Sequence, residues 1–114
     1  MPTPDQCSNI KDAILAIRDA QHLLTQEINI TSDLMKGIRL NHEYQNLDSC
    51  VSQLLHAQNV TDDAIFSQMI AAIIPQTKRL QADENTIKEL LSDVATANEV
   101  VGCITKALSF IAKL

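Results

Sequence analysis

Apolar residues recur at alternating steps of three and four along most of this 114-residue chain. The clearest run goes from Ile87 through Leu90, Val94, Ala97, Val101, Ile104 and Leu108 to Ile111. A heptad line of this kind keeps one apolar stripe of a helix turned toward a partner helix. It predicts a last helix over about 84–113, opened by the polar Asp83-Glu84-Asn85. Ile10, Ile14, Ile17, Leu24 and Ile28 make a similar line, interrupted by Gln21, and predict a first helix over about 9–29 capped by Ser8 or Asn9. Residues 1–7, with two prolines and no periodicity, read as a frayed N-terminal arm.

Between these lie two more apolar lines. Leu40, Tyr44, Leu47, Val51 and Leu54 predict a second helix over about 33–58, entered through the corner Asn29-Ile30-Thr31-Ser32-Asp33. Its phase breaks from the first line at Ile38–Leu40, which favours a hairpin. The alternative is one long helix over 9–58 with an irregularity near Gly37. Ile65, Phe66, Met69, Ile70, Ile73 and Ile74 predict a third helix over about 62–81, capped by Thr61 and kinked at Pro75, whose ring costs a helix about 3 kcal/mol. Four amphipathic helices on short loops can bury their stripes only against one another. The expectation is a single all-α domain over 1–114, an antiparallel up-down-up-down four-helix bundle with heptad (coiled-coil-like) packing.

Composition narrows this picture. Aromatics make up 3% of the residues, and two Gly and three Pro leave too little punctuation for a β protein. The chain is acidic, with a net charge of −5, and has no basic cluster, so no nucleic acid is expected as a partner. The start Met1-Pro2-Thr3-Pro4-Asp5 lacks the features of a signal peptide. The longest uncharged stretch, Ala64–Thr77, is too short and polar to suggest a transmembrane segment. Cys7, Cys50 and Cys103 stand far apart, which reads as reduced thiols and a cytoplasmic location.

Candidate chemistry is sparse. His22 and His42 lie about equally far from the first corner and, with Gln21, suggest at most a polar layer. A metal site needs three or four converging ligands, and the Glu-x-x-His pattern of di-iron bundles is absent: Asp19, Arg39 and Gln53 stand three residues before His22, His42 and His56. Histidine phosphotransfer bundles place their reactive His three residues before a Lys-Gly pair. Lys36-Gly37 has Asp33 there instead. Cys50 has His56 on roughly the opposite side of a helix, and Gly37 and Gly102 are isolated. No enzyme activity, metal or cofactor is expected.

Surplus apolar surface is the one feature left unexplained. From Val100 to Leu114 the only charges are Lys106 and Lys113, whereas a surface helix normally keeps half its circumference polar. The reading is a non-catalytic helical interaction module, a homo-oligomer or the subunit of a protein complex, docking through the second half of the last helix. The partner-binding candidates are Val100, Cys103, Ala107, Phe110 and Leu114, helped by Phe66 and Ile70, with Gly102 allowing close approach. The alternative is a bundle that binds a small apolar ligand or lipid between its helices.

Overall fold

The computed structural model describes residues 2–114; Met1, the first residue of the expected arm, lies outside the described residues. Four helices follow in order: α1 Pro4–Ile30, α2 Leu34–Gln58, α3 Asp63–Leu90 and α4 Val94–Ile111. The chain turns at 31–33, so the hairpin forms and the long 9–58 helix does not.

Helix α1 begins five residues earlier than the periodicity suggests. Thr3 caps it: the Gln6 N–H donates to Thr3 Oγ1 at 3.1 Å, and the Thr3 N–H donates to Gln6 Oε1 at 2.9 Å. This reciprocal box satisfies two orphan donors of the first turn. Pro4 takes the first helical position, where its missing N–H costs nothing. The expected arm is therefore helix from residue 4 onward, with Pro2 buried against it. The other three helices start on aspartate caps. Asp33 accepts from the Lys36 N–H, Asp62 from the Ile65 N–H and Asp93 from the Ala95 N–H, at 3.0–3.2 Å. Asp62, rather than Thr61, is the cap of α3.

The larger correction concerns the last corner. Asp83-Glu84-Asn85 is not a turn; α3 runs through it to Leu90, and the chain turns at Leu91-Ser92-Asp93. Phe66, Ile73, Leu80 and Ile87 are buried at strict seven-residue spacing, and this line carries α3 across the polar triplet. The next position on it, Val94, is 71% exposed. The seam Ile87–Ile111 is thus divided between two helices. Pro75 sits inside α3 without ending it. The carbonyl of Ala71 loses its usual i+4 donor, and both residues lie on the exposed side, where water can reach that oxygen.

Packing is cyclic. α1 packs on α2 and α4, and α3 packs on α2 and α4, while the diagonal pairs do not meet. Side-chain hydrogen bonds tie α1 to α2. Arg18 donates to Asp48 at 3.0 Å, and Gln21, three residues later, donates to the Tyr44 carbonyl at 3.3 Å. The core is aliphatic, with Ile10, Ile17, Leu24, Leu40, Leu47, Leu54, Ile73, Leu80, Ile87 and Ile104 almost fully buried. On α4 the buried line is Ala97, Val100, Ile104, Ala107 and Ile111. Val101 and Leu108, placed on the seam by the sequence pattern, lie half-buried on its flank.

Candidate functional site

The eight residues expected to meet a partner do not form one surface. Val100 and Ala107 are fully buried and Phe66 nearly so, all inside the chain's own core. Their role is packing, because the stripe of α4 that faces the bundle is rotated toward them. Ile70 and Leu114 line an open groove between α3 and α4 with Ile74, Thr77, Leu108 and Ile111, a space of about 280 Å³. Phe110 lies on the opposite flank of α4, in a groove shared with Asp12, Leu15, Asp19 and Lys106. The Lys113 ammonium sits 5.3 Å from its ring centroid, a cation–π contact. Cys103 is half-buried; its thiol pKa is raised by burial first and then by Asp19 and Glu99, with Lys106 opposing. Gly102 is exposed, and a Cβ built there would meet nothing within 4 Å.

The chain itself therefore does not approach Gly102 closely. Its backbone is helical with no positive φ, so Gly102→Ala is expected to raise stability by about 0.5–1 kcal/mol, the helix-propensity difference. Urea unfolding followed by circular dichroism measures it. A loss of stability would reveal a backbone constraint at this position.

The histidines make no polar layer between the helices. His22 and His42 are exposed, and His22 Nε2 meets only the amide of Gln26, at 3.3 Å. Gln21 instead makes the polar layer between α1 and α2. Arg18 donates to Gln21 Oε1 at 2.8 Å, and Gln21 Nε2 donates to Asp48 Oδ1 at 3.3 Å. A buried amide with its hydrogen bonds made on the facing helix fixes the register of the two.

A second polar layer was not legible in the sequence pattern. Glu43 on α2 and Asp83 on α3 are only 5% and 6% exposed. Asn46 Nδ2 donates to Asp83 Oδ1 at 3.4 Å. Glu43 faces Asp83, and its pKa is pushed up to about 8, by burial first and then by the hydrogen bond and charge of Asp83, with Arg39 opposing. A proton on Glu43 avoids setting a second negative charge beside Asp83 in a poorly solvated seam. Nearby on α2, burial pushes the Cys50 thiol up to about 11, and the side chain is fully buried in the core.

Among the described residues, no group of three or more His, Cys, Asp or Glu side chains converges to hold a metal ion. Helix α4 is the only described helix long and apolar enough to cross a membrane, judged by length and composition. Five of its residues also serve the core of the bundle, and a core helix passes the same test. No protein-family model, no curated protein and no solved structure matches the chain.

Proposed function

We propose that the chain is a non-catalytic helical interaction module, an antiparallel up-down-up-down bundle with heptad packing that acts as a homo-oligomer or as the subunit of a protein complex. It docks through the outer side of the second half of α4 and the groove that α4 shares with α3. The observation that carries this reading is the uncovered apolar surface on both flanks of α4. Ile74 is 55% exposed beside Ile70, Leu108 and Leu114 on one side, and Leu15 is 54% exposed beside Phe110 on the other. Between the flanks, the exposed strip of α4 is Gly102, Thr105, Lys106, Ser109, Ala112 and Lys113, small apart from two lysines. A facing helix fits such a strip, with apolar anchors in the two grooves. An acidic chain whose surplus surface is apolar suits a protein partner rather than nucleic acid.

Light scattering at micromolar concentration tests it. The expected result is a mass above the 12.6 kDa of one chain, moving toward one chain in Ile74→Asp and Phe110→Asp while helix content holds. A strict monomer in which Phe110→Asp changes neither solubility nor stability would speak against the docking face.

The apolar-ligand reading rests on the same α3–α4 groove. At about 280 Å³ and open to solvent, it falls just below the ~300–1,000 Å³ of small-molecule sites. Native mass spectrometry of gently extracted protein separates the two readings: a copurifying hydrophobe favours the ligand, and a bare chain favours the protein partner.

A further inference from the structure

The buried side-chain atoms left without hydrogen-bond partners among the described residues are all oxygens: Glu43 Oε2, Gln53 Oε1, Gln76 Oε1 and Asp83 Oδ2. All four belong to α2 or α3, and none to α1 or α4. Asn46 and Asp83 are bonded across the seam between these helices. Gln53 stands one heptad after Asn46, and Gln76 one heptad before Asp83. The unpartnered oxygens therefore recur at heptad spacing from the Asn46–Asp83 pair on both helices. A buried acceptor without a donor bears its full desolvation cost, so this seam is the least satisfied of the four.

Between Glu43 and Asp83 the missing donor is a proton. A protonated Glu43 has an O–H to offer the Asp83 side chain, whose hydrogen bond and charge both raise the Glu43 pKa. We propose that the α2–α3 seam is a proton-dependent latch: the proton shared by Glu43 and Asp83 holds the two helices together, and its loss opens the bundle along this line. When a base in solution takes that proton, the O–H bond of Glu43 breaks, its electron pair stays on the carboxylate, and two buried anions face each other. Arg39, one turn before Glu43 on α2, offsets only part of that repulsion.

Neighbouring charges are engaged or exposed. On α3, Arg79 is exposed, and Glu84 accepts from the Thr105 hydroxyl of α4 at 3.1 Å. From α1, packed on the other flank of α2, Arg18 is paired with Asp48 and His22 is exposed. The α1–α2 seam keeps its own Arg18–Gln21–Asp48 layer and α4 stays packed on α1, so the opening is confined to the α2–α3 line.

Cys50 reports the opening, because it is fully buried and lies one heptad from Glu43 on the same line of α2. In a chain carrying Cys7→Ser and Cys103→Ser, its rate of alkylation by an uncharged maleimide is measured with and without Glu43→Gln. The ratio of the two rates removes the ordinary effect of pH on thiol reactivity. It is expected to be near one at about pH 6 and to exceed about tenfold, in favour of the chain that keeps Glu43, at about pH 9.5, because local opening exposes the thiol. A ratio near one at both values overturns the latch. Should Glu43→Gln fail to fold, the carboxyl ¹³C shift of Glu43 in the unaltered chain decides. A titration midpoint well above the usual carboxylate range upholds the shared proton, and one inside that range overturns it.

Discussion

Val100→Asp is expected to unfold the protein rather than weaken an association. Val100 is fully buried on the line Ala97–Val100–Ile104–Ala107–Ile111, and a carboxylate there has neither water nor a cation beside it. Burying an unpaired charge, together with the lost methyl packing, costs on the order of 4 kcal/mol or more. A single domain of this size has a total stability of only about 5–15 kcal/mol. The far-ultraviolet helical signal at 25 °C should fall sharply, or the urea midpoint should collapse. Ala107→Asp is expected to behave in the same way, whereas Phe110→Asp, on a half-buried flank, should leave the helices formed. A fully folded Val100→Asp chain would mean that α4 turns a different stripe to the core. The contrast also separates the two roles that surplus apolar residues on α4 can play, packing within the chain and docking outside it.

The second large effect is a fall in stability with rising pH, in the direction opposite to an ordinary carboxylate. The folded chain holds Glu43 at about 8 against an ordinary value of 4.5. Between those values the folded state binds the extra proton, so the unfolded state is favoured progressively as pH rises, by up to about 1.4 kcal/mol per pH unit. Below the window both states are protonated and the slope vanishes. Above it both have lost the proton, and the contribution is gone. Across the whole window the loss is on the order of 4 kcal/mol. Chemical denaturation at a series of pH values should show this decline in the parent chain and a much flatter profile in Glu43→Gln, whose amide stays neutral throughout. A parent whose stability instead rises between pH 5 and 8 would place the ionised form of Glu43 in the folded state.

The helical architecture could be read from the sequence because it rests on repeated signals. Every helix carries several apolar residues at heptad steps, and no single residue decides its existence. Boundaries rest on one or two residues, and there two competing signals misled. Asp83-Glu84-Asn85 has the chemistry of a helix start, yet Asp83 is a buried partner of Asn46. The line Phe66–Ile73–Leu80–Ile87 was the stronger signal, since it crosses the triplet without a phase change. The true start, Ser92-Asp93, was hidden because Leu90 and Val94 happen to keep the three-four rhythm across the corner. Similarly, the prolines at positions 2 and 4 suggested an arm, although Thr3-Pro4 with Gln6 is a complete capping signature.

The candidate site was less legible for a different reason. Hydropathy marks α4 as apolar beyond one stripe, but it does not fix which stripe faces inward. Choosing Val101 and Leu108 for the seam left Val100 and Ala107 as apparent surplus. In the fold the small Ala107 lies inward, and the bulkier Leu108 covers the flank beside α3. Nothing in the hydropathy pattern marks Glu43 and Asp83, because a lone acid in a helix is normally a solvated surface residue. Their heptad positions were available, with Glu43 four residues before Leu47 and Asp83 three after Leu80. Only the packing of α2 on α3 brings the two together.

The seam between α1 and α4 joins helices that lie far apart in the sequence. Asp12 and Leu15 line one groove with Lys106 and Phe110, and Asp19 acts on Cys103. With α2–α3 and α3–α4 also packed, the ring of helices closes on itself. A bundle closed in this way does not depend on where its backbone is cut. A chain nicked in the short 59–62 connection should therefore stay in one piece, because α4 holds α1 across the ring as α3 holds α2.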